Sequence, residues 1–266
     1  MPDFVHDSLR IHWEIEGSGA PVALLNGVLM TTASWSLQTA SLARRYQCIL
    51  HDFRGQLLSS KPECSWTMND HVEDFHALLD YLGIECCHVV GTSYGGEVGM
   101  MFAARYPHRV RSLAVIASVS EIGPDVDAPV REWRRAALEA PETLYRTMLP
   151  TTFSPAFLAA NPQLAEQGEA RISAMEPAFF HAFAKLIDAF LELDITAMLP
   201  DIRCPALVMT GAQDRLKPPS YSRLIADAIP RSQLVEVAGA GHAIVLEQAE
   251  VVNNTLMAFL RGQERR

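Results

Sequence analysis

Residues 91–95 read Gly91-Thr92-Ser93-Tyr94-Gly95, between a short apolar run and a segment of helical character. Cys87-His88-Val89-Val90 before them suits a buried strand, and Gly96 to Tyr106 after them suits a helix. A Gly-x-Ser-x-Gly at a strand-to-helix junction is a nucleophile elbow. Its glycines allow a turn too tight for a Cβ, and the serine is raised at the tip. This constrains the chain twice. It demands a central strand running straight into a helix, and it presents a hydroxyl that is a poor nucleophile unless exposed, oriented and next to a base.

The rest of the chain fits that demand. Leu9–Glu16 alternates apolar and polar residues, as a half-exposed edge strand does. Val22–Leu25, Cys48–Phe53, Leu113–Ala117, Ala206–Thr210 and Leu234–Val237 are short apolar runs suited to strands. Helical spacing runs from Asn69 to Leu82, with Gly83 as a stop, and again from about Leu246 to Leu260. Strands alternating with helices imply an α/β fold, with a mostly parallel central sheet and helices on both faces. Between Ser118 and Ile202 the rhythm breaks. That stretch predicts helices around 130–140, 141–149, 162–174 and 176–193, and it is rich in aromatics. It reads as a helical insertion over 121–201, within a core made of 1–120 and 202–266.

Composition narrows the function classes. A net charge of −9 argues against nucleic acid or an anionic membrane surface as a partner. Arg131, Arg134 and Arg135 read as the solvated face of a helix. Met1–Asp7 has neither the basic nor the apolar region of a secretory signal, and no run approaches the length of a membrane span. Five cysteines without a C-x-x-C pair read as small buried hydrophobes, which suits a reducing, cytoplasmic setting. No spacing suggests a metal site, and no cofactor is expected. The sequence carries no sign of oligomeric state.

A serine nucleophile needs a base, an acid to orient the base, and donors for the oxyanion. After a nucleophile elbow the expected chain order is serine, acid, histidine. Asp214 follows Ala206–Thr210 at the tip of the penultimate strand, with a turn aspartate as the competing reading. His242, in Gly239-Ala240-Gly241-His242, follows the last strand. His51, near a strand tip, is the rival base, and His181 in the insertion is placed to face a substrate. One oxyanion donor is expected at the Tyr94 N–H, directly after the nucleophile, and the second at Val28, in the loop after Val22–Leu25. Asn26 braces that loop. Asn26 is also a candidate for the substrate pocket, with Trp133, Tyr145, Phe179, Phe180 and Phe183 from the insertion.

Together these residues resemble the α/β-hydrolase family over nearly the whole chain. The anchors are Asn26-Gly27, Asp52-Phe53-Arg54-Gly55 with Ser59 beyond, Gly91–Gly96, Asp214 and Gly241-His242, in the family's order. The resemblance implies the α/β-hydrolase fold, with the insertion as a cap between the sixth and seventh core strands. Two features depart from it: Asn26 stands where the family usually has histidine, and Gln56-Leu57-Leu58 lacks the usual glycine. The pattern is similar to enol-lactonase-like and carboxylesterase-like members, and residues 26–35 are also similar to a loop in some hydroxyacyl transferases. The resemblance implies a serine hydrolase for a small ester or lactone, with Ser93, His242 and Asp214 as a triad. An acyltransferase, a carbon–carbon bond hydrolase and a non-catalytic ligand receptor stand as alternatives.

Overall fold

Runs with almost no polar residue on either face must be covered on both sides, and the chain satisfies this with one sheet between two helical layers. The computed structural model describes residues 4–264; Met1–Asp3, part of the segment read above for a leader, lie outside them. In chain order the elements are β1 (Phe4–His6), β2 (Leu9–Ile11), β3 (Trp13–Gly17), β4 (Ala20–Leu25), α1 (Ser36–Leu42), β5 (Tyr46–His51), α2 (Met68–Tyr81), β6 (Cys87–Thr92), α3 (Tyr94–Arg105) and β7 (Val110–Ile116). Five helices follow: α4 (Pro124–Glu139), α5 (Leu144–Thr152), α6 (Pro155–Ala160), α7 (Leu164–Ser173) and α8 (Pro177–Leu191). The chain closes with β8 (Ala206–Gly211), α9 (Pro219–Ala228), β9 (Ser232–Val237), α10 (Ile244–Glu247) and α11 (Ala249–Glu264).

Seven strands form the main sheet in the order β3-β5-β4-β6-β7-β8-β9. Only β3 is antiparallel to its neighbour. This is an α/β-hydrolase fold. The pleat sends alternate residues to opposite layers. Ala23, Val89, Val115 and Val208 pack with the apolar faces of α2, α3 and α9. Leu24, Val90, Ile116 and Leu207 pack with Trp35, Leu42 and the α11 residues Val252, Leu256 and Leu260. β6 lies between β4 and β7 and is buried along its whole length.

The single edge strand expected over Leu9–Glu16 is two strands. The chain changes partner at His12, whose N–H donates to Ser59 Oγ (2.9 Å) and whose carbonyl accepts from Asp52 N (3.0 Å). β2 therefore pairs with β1 as a separate antiparallel ribbon, and β3 continues into the main sheet. The helical insertion enters between β7 and β8, the fifth and sixth strands of the main sheet in chain order, rather than the sixth and seventh. The insertion holds one helix more than the spacing predicts. α6 is too short to show a period, but its start carries a signal: Ser154 Oγ accepts from Phe157 N, and Pro155 opens the first turn. The expected final helix is broken at Gln248 into α10 and α11.

One buried ion pair joins the loop after β5 to α2. Arg54 donates to Asp74 through Nε (2.6 Å) and Nη2 (2.7 Å), and both side chains are buried. His6 lies 2.8 Å from the same carboxylate. Burial works to raise the Asp74 pKa, but hydrogen bonds from Arg54 and His6 outweigh it and hold the carboxyl below its ordinary value. A depressed native value stabilises the fold above the unfolded carboxyl's pKa and is lost as pH falls through the native one. Stability in urea melts is expected to drop as pH falls below about 4. Arg54→Met leaves Asp74 buried with His6 as its remaining partner, and is expected to cost roughly 3 kcal/mol at neutral pH, read from the urea midpoint.

Candidate active site

Ser93 stands between β6 and α3 with φ 51° and ψ −121°, a left-handed conformation unusual for a residue with a side chain. Its N–H donates to the Ile116 carbonyl (2.8 Å), and its carbonyl accepts from Gly96 N (2.8 Å) and Ser118 Oγ (2.9 Å). The flanking glycines are required by close approach. A Cβ on Gly95 would collide with the backbone of Leu25 at the end of β4, and one on Gly91 would collide with Gly95 itself.

Two distant loops meet the raised hydroxyl. His242 Nε2 lies 3.0 Å from Ser93 Oγ, and His242 Nδ1 lies 2.9 Å from Asp214 Oδ2. Asp214 follows β8; its other oxygen, Oδ1, accepts from the Leu216 (2.9 Å) and Lys217 (2.8 Å) amides. Asp214 thus makes the turn bonds of the competing reading and holds the imidazole as well. The histidine loop follows β9 and is fixed at both sides. Gln213 N donates to the Ala240 carbonyl (2.8 Å), and Ala243 N donates to the Thr152 carbonyl of α5 (2.9 Å). Glu247 Oε1 accepts from Gly241 N (3.1 Å) and from Ser154 N (3.2 Å), tying this loop to the insertion.

The loop after β4 passes beside the serine: a Cβ added to Gly27 would sit 3.6 Å from Ser93 Cβ. The Val28 N–H is in this loop and the Tyr94 N–H opens α3. No acceptor among the described residues takes either one. Asn26, one departure from the family pattern, lies here beside Gln56, from the stretch that lacks the usual glycine. Asn26 is fully buried; its Oδ1 accepts from Trp35 Nε1 (2.8 Å) and its Nδ2 donates towards Gln56 Oε1 (3.1 Å). Gln56 Nε2 in turn donates to the Gly27 carbonyl (2.7 Å). Asn26 and Gln56 therefore hold the loop from behind.

A cavity of about 570 Å³ opens over Ser93 and His242. Val28 and Gly27 lie at one side, and Trp133, Tyr145, Phe179 and Phe183 of the insertion form an apolar wall. Two of the expected pocket residues are not there. Asn26 is turned into the loop brace, and Phe180 is buried beside Phe179, its ring 5.3 Å away, outside the lining. Arg171 is the lining's one Lys, Arg, Asp or Glu among the described residues.

The rival histidines are placed elsewhere. His51 is fully buried, its ring stacked on Phe75 at 5.6 Å, with no hydrogen-bond partner for either nitrogen among the described residues. Burial pushes its pKa down to about 4, so it packs as a neutral ring. His181 is exposed and outside the cavity lining.

The sequence reading missed one pair. Lys217 Nζ donates to Ser93 Oγ (3.1 Å) and to Glu97 Oε1 (2.9 Å), and both charged side chains are buried. Glu97 did carry a signal. It is the one charge among small and apolar residues from Tyr94 to Ala104, and a helix apolar all round is buried.

Residues 22–255 match the model of the alpha/beta hydrolase family. The chain is similar to a putative carbamate hydrolase, RutD, of Azorhizobium caulinodans, at 30% identity over 94% of each protein. Among solved structures it is similar to MGS-M2, an alpha/beta hydrolase enzyme from a Medee basin deep-sea metagenome library. That match has a TM-score of 0.93 and 25% identity, and covers 97% of each chain. It is also similar to the enol-lactonase of Burkholderia xenovorans LB400, with a TM-score of 0.89 and 26% identity, covering 98% of this chain and 100% of that one. On the match over residues 22–255, the chain belongs to the alpha/beta hydrolase family.

Proposed function

We propose that the protein is a serine hydrolase that cleaves a small carboxylic ester or lactone through an acyl-enzyme on Ser93. The carrying observation is the unbroken proton path from Ser93 Oγ to His242 Nε2 (3.0 Å) and from Nδ1 to Asp214 (2.9 Å). His242 takes the Ser93 proton as Oγ attacks the acyl carbon. The N–H groups of Val28 and Tyr94 receive the developing oxyanion, and the start of α3 adds favourable partial charge. His242 then protonates the leaving oxygen. Water repeats the sequence on the acyl-enzyme and frees the acid. Asp214 fixes the ring's tautomer and stabilises it when charged.

The apolar lining supports an acyl group of several carbons, with the helical insertion acting as a cap over the core. A carbamate is attacked at its carbonyl by the same steps, and the similarity to a putative carbamate hydrolase brings that class into the substrate panel.

Ser93→Ala is expected to lower kcat on p-nitrophenyl butyrate by about 10⁶-fold with an unchanged melting temperature. Retained turnover sinks the proposal. Asp214→Asn is expected to cost about 10⁴-fold, because the ring loses its tautomer partner. The nucleophile is checked by mass spectrometry: a fluorophosphonate probe is expected to leave its phosphonyl adduct on Ser93. Labelling without any turnover across esters, lactones and carbamates favours the ligand-receptor alternative. From acetate to butyrate esters, kcat/KM is expected to rise about fourfold per added methylene, from ~0.8 kcal/mol of burial each. A flat series rules out the cavity as the acyl site.

A further inference from the structure

Lys217 is 2% exposed and Glu97 is fully buried, so both charges have been taken out of water beneath the nucleophile. Such a pair is weak support for stability. The cost of desolvation roughly cancels the attraction, and well-packed apolar residues serve a core as well or better. Where the pair points is therefore the informative feature. Lys217 Nζ has three N–H donors. One reaches Ser93 Oγ at 3.1 Å and one reaches Glu97 Oε1 at 2.9 Å. The charged head also lies 4.5 Å from the centre of the Phe190 ring, on α8 of the insertion. Glu97 is held in turn by the Val119 N–H (2.9 Å). The lysine's own backbone N–H is one of the two that fix Asp214.

The serine oxygen has one proton and two lone pairs. Its proton is directed at His242 Nε2 (3.0 Å), and one lone pair accepts from Lys217 (3.1 Å). One lone pair is left to attack. As the proton leaves, negative charge builds on Oγ next to a full positive charge in a site shielded from water, where such an interaction is much stronger than in solvent. Glu97 Oε1, 2.9 Å away, is the ion-pair partner of the ammonium in that setting.

We propose that Lys217 is a further catalytic residue, whose ammonium stabilises charge on Ser93 Oγ as the oxygen attacks the acyl carbon and again as it departs from the acyl-enzyme. The proposal rests on Ser93 being the nucleophile. Lys217 forms no covalent bond and keeps its three protons. In the attack the Oγ–C bond forms, the Ser93 proton passes to His242, and the carbonyl π pair moves to the oxyanion. In the release, water has already bonded to carbon and given a proton to His242. The Oγ–C bond then breaks, its electron pair stays on Oγ, and His242 returns the proton. At both moments Oγ carries its greatest charge, and the ammonium is already in hydrogen-bond contact with it.

The test replaces the charge and keeps the volume. Lys217→Met leaves Glu97 buried without a partner, so Lys217→Met/Glu97→Gln is made beside it to neutralise both members. Thermal melts select whichever variant is folded. That variant is expected to show a kcat on p-nitrophenyl butyrate lower by roughly 10²-fold, with KM little changed. The second-order rate of labelling by a fluorophosphonate should fall in parallel. A folded variant with wild-type kcat and labelling rate overturns the proposal and makes the pair a packing feature. Ser93→Ala, assayed alongside, separates the two failures. If Ser93→Ala is inactive and the lysine variant is at full rate, only the role of Lys217 is lost. If Ser93→Ala is active, the nucleophile assignment falls and this proposal falls with it.

Discussion

The left-handed backbone at Ser93 is the constraint on which the rest of the structure depends. A non-glycine residue held there costs on the order of 1–3 kcal/mol and persists only when its surroundings over-determine it. Here four hydrogen bonds do so: Ser93 N to the Ile116 carbonyl, and Gly96 N, Glu97 N and Ser118 Oγ to the Ser93 carbonyl. The partner strand and the loop after it are thus part of the elbow. β7 takes the N–H that the turn would otherwise strand, and the first residues beyond β7 cover the carbonyl. Gly95 completes the clamp by letting α3 press onto the end of β4. Relaxing φ would require breaking sheet-edge contacts on both sides of β6.

The elbow also explains why the site collects where it does. β4, β6, β8 and β9 are parallel, so their following loops emerge at one edge, where ligands in open α/β sheets are bound. Each loop is then stiffened by its own means. The loop after β4 leans on Asn26 and Gln56, the loop after β8 on the Asp214 carboxylate, and the loop after β9 on Glu247. Two of the three braces are carboxylates accepting backbone N–H groups. Such bonds to a charged acceptor are about twice as strong as neutral ones.

How much of this is legible in the sequence follows from the range of each interaction. The sheet strands are short runs of consecutive apolar residues, and the Ser-acid-His order is a property of the chain, so Ser93, Asp214 and His242 are readable from position. The partner change at His12 is not, because it depends on Ser59 and Asp52 arriving from a later loop. α1 has too few apolar positions to show a period; only Gln38, Thr39 and Leu42 are buried in it. Asn26 appears as a loss when compared with the family pattern, and Gln56 belongs to the stretch that lacks the usual glycine. Only in three dimensions do they turn out to be one brace. Phe180 and Phe183 are alike in composition and helix, and which of them faces the cavity depends on the rotation of α8. Lys217 lies 120 positions from Glu97, so a charge in an apolar helix announces a partner without naming it.

The division between core and insertion is less complete than the topology suggests. The core supplies the serine, imidazole and carboxylate, and the insertion supplies most of the apolar wall, an arrangement that would let specificity vary without touching the chemistry. Contacts close to the serine and the imidazole cross that division. Glu247 accepts N–H groups from both Gly241 and Ser154, and the Phe190 ring faces the ammonium that touches the serine. A shift of α8 therefore changes the packing around Lys217 as well as the shape of the cavity. A shift at the end of α5 moves the carbonyl that anchors Ala243, next to His242. Substitutions in the insertion act on the wall directly, and through these contacts they also act on the geometry at Ser93 Oγ.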